Sequence, residues 1–335
     1  MKKIIAYISG GEENWNYASV DAEKITHINY AFAVPTEQLE YVFDGAATAR
    51  RAVEAIELKR KNPSLEILLS FGGWGGCQWF HNGAQPKNVK KFADNCVRFA
   101  KDHDFDGVDI DWEYPGQKGA GNPYSPDDKQ NFTNYLYELR NAGNKYGVKY
   151  LTIAAGGDAN FLRHVEGEAI HELLDWINIM GYDLYHGGDY STGHQCNLRT
   201  VAGDKRGLSG DAAVNQFLAC GTPPEKIVLG IPFYGRMWTG TTGIFQPART
   251  VGEIIHYRGI REKFLDDPKT KVERLAECRA PYLQNNDVFI SYEDAESIAE
   301  KWQYVRDHNL GGIMFWELPY DNGELLEAVY KYRNS

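Results

Sequence analysis

Four carboxylates fall within eight positions of the segment FDGVDIDWEYP, residues 105–115. The residues between Asp106, Asp109, Asp111 and Glu113 are mostly apolar, so these acids do not form a solvated charge run. Carboxylic acids in an apolar setting can exchange protons with a substrate, or they can bind a divalent metal ion. The elements that carry the acids decide which chemistry the pattern favours.

A strand places three of these acids on one face, because alternate residues of a β-strand share a face. Asp109, Asp111 and Glu113 point one way, and the residues between them point the other. Successive acids then lie about 6.5–7 Å apart, so mutual repulsion in a poorly solvated site raises at least one pKa. Glu113 is last in the row and is the candidate general acid. Asp106 has a different phase, and a turn or backbone cap explains it as well as catalysis does.

Apolar, strand-like runs recur along the chain with helix-like segments between most of them. The runs are residues 4–9, 25–33, 65–72, 105–113, 150–157, 176–183, 227–235 and 311–318. The clearest helical patterns are ATARRAVEAIELKRK, VKKFADNCVRFAKDH, SPDDKQNFTNYLYELRNAGNK and DAESIAEKWQYVRDH. Strands covered on both faces have this composition, and eight of them alternating with helices predict an α/β fold, a (β/α)8 TIM barrel. The acids would face the barrel lumen and approach the C-terminal rim, where active sites of such barrels lie.

One connection, from Trp238 to about Val288, is too long for a simple crossover. A structureless loop of that length is improbable in a compact domain, so we predict a small α+β insertion between strands seven and eight. The expected organisation is residues 1–237 for barrel strands one to seven, 238–288 for the insertion, and 289–335 for strand eight and the closing helices.

Composition narrows the class of protein. The 335 residues are 43% hydrophobic and 24% charged, which allows a large core and excludes wholesale disorder. The formal charge of -10 argues against a nucleic-acid partner. No run reaches the ~18 apolar residues of a membrane helix, so we expect no membrane association. We expect a monomer, cytoplasmic as written because MKKIIAYISGG is too short for a signal-peptide core, and secreted if a leader was removed.

Metal binding is the main alternative for the row of acids. Carboxylates at the strand ends of a barrel often bind Mg²⁺ or Mn²⁺. No histidine or further acid cluster appears at the ends of neighbouring runs to complete a coordination shell. The five cysteines show no CxxC spacing, which indicates reduced thiols rather than a zinc site or a disulfide framework. The pattern therefore favours catalysis, with no cofactor expected.

The acidic segment also resembles the DxxDxDxE signature of glycoside hydrolase family 18, the chitinase family. SFGGW (70–74) resembles the family's SxGG motif, and MGYD (180–183) resembles its MxYD motif. GIPFYGR (230–236) is similar to its seventh-strand segment, and Trp316 in MFWEL stands at the place of its eighth-strand tryptophan. The resemblance spans nearly the whole chain, and the predicted insertion looks like a shortened form of the family's α+β insertion domain.

The resemblance implies a chitinase that hydrolyses β-1,4-linked N-acetylglucosamine by substrate-assisted, retaining catalysis through an oxazolinium intermediate. It implies that Glu113 protonates the glycosidic oxygen and later acts as the base. Asp111 would accept a hydrogen bond from the substrate's acetamido N–H, and Asp109 would support Asp111. Tyr182 would donate to the acetamido carbonyl, whose oxygen is the nucleophile. A strand ladder provides no second carboxylate ~5 Å away across the sugar, which agrees with this mechanism.

Further residues are expected to bind the substrate. They are Trp316, Asp183, Tyr7, Phe32, Ser70, Trp74, Met180, Arg236 and Trp238. The flat ring of Trp316 would form the floor under the sugar. For Arg236, a salt bridge at the rim is an equal alternative to a contact with substrate hydroxyls.

Three other functions stay open at this point. One alternative is an endo-β-N-acetylglucosaminidase acting on N-glycans or peptidoglycan. Another is a non-catalytic chitin-binding lectin, since some members of the family are lectins that have lost the acid. The presence of Glu113 with both preceding aspartates favours an enzyme over the lectin. A metal-dependent enzyme is the third alternative. Endo or exo action, and crystalline chitin or oligomers as the substrate, are not decided by the sequence.

Overall fold

Parallel strands close into a barrel in a computed structural model that describes residues 1–12 and 15–333. The strands are β1 (Lys3–Ser9), β2 (His27–Pro35), β3 (Tyr41–Phe43), β4 (Glu66–Gly72), β5 (Gly107–Asp111), β6 (Tyr150–Gly156), β7 (Trp176–Met180), β8 (Ile227–Pro232), β9 (Tyr234–Thr239), β10 (Glu253–His256), β11 (Lys271–Arg274), β12 (Pro281–Asn285), β13 (Val288–Ser291) and β14 (Gly312–Trp316). The order β1-β14-β8-β7-β6-β5-β4-β2 is parallel, and β1 also pairs with β2, so the sheet closes on itself. The prediction of a (β/α)8 barrel is confirmed.

Most of the helices cover the outside of the barrel, and one short helix lies beside the insertion. They are α1 (Gly45–Glu57), α2 (Phe80–Gly83), α3 (Val89–Asp102), α4 (Asp128–Tyr146), α5 (Ala159–Arg163), α6 (Gly167–Leu173), α7 (Gly210–Ala219), α8 (Tyr257–Ile260), α9 (Ala295–Asp307) and α10 (Glu324–Tyr332). Helix α4 begins at Asp128 rather than at the predicted Ser125, because the buried Asp128 carboxylate accepts hydrogen bonds from the N–H groups of Ser125 and Gly116. Within residues 1–12 and 15–333, no helix has the length and apolar content needed to cross a membrane.

The alternation of side chains along the strands builds two apolar layers. Lumen-facing residues such as Ile5, Leu68 and Met314 pack together inside the barrel. Residues of the opposite phase pack against the helices, as Trp112 does with its ring centroid 5.7 Å from that of Phe132 in α4. Acids that share the lumen phase are therefore held in a low-dielectric interior, where a charge is costly unless hydrogen bonds compensate it.

The insertion forms a second, antiparallel sheet in the order β10-β9-β13-β12-β11, with α8 beside it. This sheet starts at Tyr234 and ends at Ser291, so it is wider than the predicted range 238–288. The run 227–235 reads as a single apolar strand, but the chain leaves the barrel at Phe233, between β8 and β9. The Phe233 ring stacks on Phe315 of β14 at 4.1 Å. The stacking joins residues that are far apart in the sequence, so the local hydrophobic pattern does not predict where the strand ends.

Candidate active site

Polar side chains from several strands meet over the lumen at the C-terminal ends of the barrel strands. The parallel register sets Asp109 of β5 beside Ser70 of β4 on one side and beside Thr152 of β6 on the other. Asp111 ends β5, and Glu113 follows two residues later. The row of acids therefore climbs from the barrel interior to its rim, where the active sites of such barrels lie.

Asp109 is fully buried and is surrounded by four hydrogen-bond donors. Its Oδ2 accepts from the hydroxyls of Tyr7 (2.7 Å) and Ser70 (2.7 Å). Its Oδ1 accepts from the Thr152 hydroxyl (2.6 Å) and from the Asn178 amide (3.2 Å). Burial raises the pKa of Asp109, and the four donors oppose that rise. Donors on every side favour the ionised carboxylate, which only accepts hydrogen bonds.

Asp111 and Glu113 lie in a different electrostatic setting. Burial raises the pKa of Asp111 well above its usual range, and the charges of Glu113 and Asp109 raise it further. Burial also raises the pKa of Glu113 to about 7; a hydrogen bond from Tyr114 opposes the rise, and the Asp183 charge adds a smaller increase. Asp111 Oδ1 is buried and has no hydrogen-bond partner among the described residues. The upper part of the row therefore retains protons to higher pH than exposed carboxyl groups do, and it presents an unsatisfied acceptor.

The wall beside Glu113 comes from the loop after β7 and from the insertion sheet. Arg236 of β9 donates through Nε to Asp183 Oδ1 (2.7 Å) and through Nη1 to the Gly252 carbonyl (3.0 Å). The salt bridge that was an equal alternative for Arg236 is therefore present. Tyr182 is half-buried, and burial followed by the Asp111 charge raises its pKa well above the usual range. Its hydroxyl thus remains a hydrogen-bond donor near the acids.

Aromatic rings line the other side of the same space. Trp316 ends β14 and is half-buried, with its ring stacked on Phe32 (5.5 Å, 15° between planes) and tilted against Tyr7 (5.7 Å). These rings belong to the lumen cluster that also contains Met180. Trp74 is 58% exposed after β4, and its ring lies edge-on to Tyr114 at 6.5 Å. The sequence did not single out Tyr114, which directly follows Glu113.

Three residues predicted to bind the substrate do not face open space. Trp238 has no exposed surface, its Nε1 donates to the Asp189 carbonyl (2.9 Å), and its ring packs inside the insertion against Phe289. The prediction for Trp238 is wrong, because β9 pairs with β13 and turns this side chain into the insertion core. Tyr7 and Ser70 are 1% and 0% exposed, and their hydroxyls donate hydrogen bonds to Asp109.

The sequence reading missed two of the four donors to Asp109, Thr152 and Asn178. Both are polar residues inside otherwise apolar runs, YLTIAAGG and WINIM, and both have the lumen phase. This polarity in a buried strand was the available signal. Asp106 instead accepts from Lys59 Nζ (2.6 Å) and from the Ile67 N–H (2.7 Å), so it fastens the start of β5 outside the site.

In the described parts of the chain, neither clustered ligands nor reactive cysteines indicate a second, metal-dependent chemistry. Within the part of the chain that the structure describes, no three or more His, Cys, Asp or Glu side chains are arranged to hold a metal ion. All five cysteines are free, and four of them are buried.

The chain is similar in sequence and in fold to proteins of one known family. The family model for glycosyl hydrolases of family 18 matches residues 3–321. Chitinase A1 of Niallia circulans is 32% identical over 98% of this chain and 58% of its own length, and chitinase B of Serratia marcescens is 32% identical over 96% and 78%. The solved structure of a family 18 N-acetylglucosaminidase from Paenibacillus barengoltzii is 36% identical with a TM-score of 0.91, covering 99% of this chain and all of that one. The chain belongs to family 18 of the glycosyl hydrolases.

Proposed function

We propose that this protein is a chitinase, which cleaves β-1,4 linkages between N-acetylglucosamine units by substrate-assisted, retaining catalysis. The observation that carries the proposal is the buried row of Asp109, Asp111 and Glu113. In ascending order, the row presents a buried carboxyl group held by four donors, an unsatisfied acceptor on Asp111, and an acid whose pKa is raised by burial. Family 18 departs from the usual two-carboxylate scheme of glycosidases, and this row supplies the groups that its mechanism needs.

Glu113 has the properties of the general acid. Burial raises its pKa to about 7, so a large fraction of the carboxyl group is protonated near neutral pH and can transfer the proton to the glycosidic oxygen. The resulting carboxylate then accepts a proton from the water that opens the intermediate, as microscopic reversibility requires.

The nucleophile must come from the substrate. A protein nucleophile would have to be an ionised carboxylate about 5–5.5 Å from the acid across the sugar. Asp111 is on the same strand as Glu113 and its raised pKa disfavours the carboxylate form, while Asp183 is engaged by Arg236. The acetamido carbonyl oxygen fits the role instead. Asp111 Oδ1 can accept the acetamido N–H, which orients that group and stabilises the charge developing on it.

The aromatic side of the site supports a pyranose substrate. Trp316 has a half-buried ring backed by Phe32 and Tyr7, so one face is held rigidly. A flat ring matches the axial C–H groups of a sugar and contributes apolar contact area at low entropic cost. Trp74, exposed beside Tyr114, is the candidate for a contact with the sugar on the leaving-group side.

The test is hydrolysis of chitotetraose followed by proton NMR of the first product formed. We expect shorter oligomers with the β-anomeric configuration retained. Glu113→Gln should abolish turnover and keep binding, as measured by calorimetry. Glu317→Gln is the matched control, because Glu317 is also buried with a pKa raised to about 7 but accepts a hydrogen bond from the Ser9 N–H outside the row. Inverted products, or an active Glu113→Gln variant, would refute the mechanism.

A second candidate is an exo-acting N-acetylglucosaminidase. It is supported by the Paenibacillus barengoltzii enzyme, whose whole chain is covered by the similarity. Time courses on chitopentaose separate the two functions, because stepwise release from one end yields the monosaccharide from the start. An endo-acting chitinase yields disaccharide and trisaccharide first. A high-mannose glycopeptide in a parallel reaction tests the glycan-directed alternative, which predicts cleavage of the glycopeptide and little action on chitopentaose.

A further inference from the structure

A tight turn after β4 carries a buried thiol to the underside of the acids. Gly72 and Gly73 adopt left-handed φ values of 112° and 79°, and the Gly76 N–H donates to the Gly73 carbonyl (2.9 Å). A Cβ on Gly72 would lie 2.2 Å from the Asp111 carbonyl oxygen, so only glycine allows this approach to β5. The turn therefore delivers Cys77 to the end of the catalytic strand.

The thiol of Cys77 contacts the backbone of both upper acids. Its Sγ accepts a hydrogen bond from the Glu113 N–H at 3.3 Å. The same sulfur lies 3.2 Å from the Asp111 carbonyl oxygen and 3.3 Å from that of Gly73, and either oxygen can accept the S–H proton. Cys77 has no exposed surface. Burial raises the pKa of the thiol well above its usual range, so the S–H donor is present throughout the working pH range.

We propose that Cys77 is a positioning residue for catalysis, whose thiol fixes the backbone between Asp111 and Glu113 and thereby sets where the Glu113 carboxyl group points. The role rests on the function proposed above, because it matters only if Glu113 is the general acid. Asp109 is held by side chains from neighbouring strands, but Glu113 lies beyond the end of β5 and lacks a strand partner in the parallel ladder. The thiol supplies the missing backbone contact.

Loss of this contact has a specific consequence. The Glu113 N–H would be left without its sulfur acceptor in a buried site, and the backbone would shift to find another partner. A shift of the carboxyl group reduces proton transfer steeply, since a misplacement of about 1 Å can cost 10²-fold in rate. A shift towards solvent also relieves part of the burial that raises the Glu113 pKa. The pKa of Glu113 should therefore fall towards its usual range.

The experiment compares Cys77→Val, which keeps an apolar side chain but loses both hydrogen bonds, with Cys77→Ser, which keeps a donor and an acceptor. On chitotetraose, we expect Cys77→Val to lower kcat on the order of 10- to 100-fold with little change in KM. The alkaline limb of the kcat–pH profile of Cys77→Val should move to lower pH. Cys77→Ser should restore much of kcat and of the wild-type pH profile. Cys96→Val is the control, because Cys96 is equally buried but lies in α3.

A second readout does not depend on the substrate. The carboxyl ¹³C resonance of Glu113, assigned with Glu113→Gln, is titrated in the wild type and in the Cys77 variants. We expect a lower pKa in Cys77→Val and a value close to the wild type in Cys77→Ser. Cys77→Ala loses the same hydrogen bonds without added volume and replaces the valine variant if that one does not fold.

Two outcomes overturn the inference. The first is a folded Cys77→Val or Cys77→Ala variant with an unchanged kcat and an unchanged Glu113 titration. The second is an equal loss of activity in the serine and valine variants that follows their melting temperatures with no pH shift, which indicates packing alone. If the wild type does not cleave chitotetraose, the proposed function fails, and the titration still decides whether the thiol sets the environment of Glu113.

Discussion

Removal of the Tyr7 hydroxyl tests whether this residue contacts the sugar, as the sequence indicates, or holds Asp109, as the structure indicates. Tyr7 was expected to contact the sugar, but its hydroxyl donates to Asp109 Oδ2 at 2.7 Å and its side chain is buried. Tyr7→Phe leaves the ring against Trp316 and removes only the donor. The three other donors, from Ser70, Thr152 and Asn178, remain in place.

The size of the effect follows from the lost hydrogen bond. A hydrogen bond to a charged group contributes about 1.5–3 kcal/mol, and about 1.4 kcal/mol corresponds to one pKa unit. The Tyr7 donor lowers the pKa of Asp109 against the effect of burial, so its removal raises that pKa and withdraws about 1.5–3 kcal/mol of support for the carboxylate form. In the proposed mechanism Asp109 acts as the carboxylate, so activity should be lost as pH falls through this pKa. The acid limb of kcat/KM should therefore move to higher pH.

The measurement is kcat/KM on chitotetraose across the pH range, for the wild type and for Tyr7→Phe. Tyr41→Phe is the matched control, because the Tyr41 hydroxyl is also buried but bonds to Tyr135 at 2.8 Å, away from the acids. Its acid limb should coincide with that of the wild type. A Tyr7→Phe variant whose KM rises while the acid limb stays in place would contradict the reasoning and restore the role of Tyr7 as a substrate contact.

Three further predictions concern the general acid Glu113, the aromatic ring of Trp316 under the sugar, and a buried ion pair that stabilises the fold. Activity should fall as pH rises through about 7, because Glu113 then loses the proton that it must donate; a pH profile of kcat checks this. Trp316→Ala should lower kcat/KM about tenfold or more, from the loss of ~1.5 kcal/mol of ring contact, and Trp316→Phe should recover part of it. Lys301→Met leaves Glu293 buried without its ion-pair partner and should cost about 3–5 kcal/mol in denaturant unfolding, while the variant that also carries Glu293→Gln recovers much of that loss.

The row of acids could be predicted from the sequence because its geometry is local. Strand phase alone puts Asp109 and Asp111 on the lumen face, and the apolar residues between them identify the face that packs on the helices. The same phase rule, applied to each polar residue inside an apolar run, would also have identified Thr152 and Asn178. These donors are harder to predict than the acids, because single neutral polar residues also occur in buried strands without a functional role.

Tertiary pairing decided what the local pattern could not. Trp238 and Trp316 read alike, as tryptophans near the ends of predicted strands. Trp316 ends a barrel strand and borders the lumen, whereas Trp238 lies in β9, where pairing with β13 encloses its ring. The role of Cys77 depends on two left-handed glycines that return the chain to β5. Such a return requires knowledge of backbone conformation, which composition and periodicity do not provide.

The two ends of the acidic row are controlled by different physical causes, and this separation can be tested. Hydrogen-bond donors favour the ionised form of Asp109 against the effect of burial, so Tyr7→Phe should move the acid limb of the pH profile to higher pH. Burial raises the pKa of Glu113, so Cys77→Val should move the alkaline limb of the pH profile to lower pH. In the double variant the two shifts should add if Asp109 and Glu113, which share no hydrogen-bond partner, titrate independently. Asp111 lies between them and feels both charges. A double variant whose limbs move by more or less than the sum of the single shifts would show that Asp111 couples the ends of the row, and would place proton sharing through Asp111 at the centre of the mechanism.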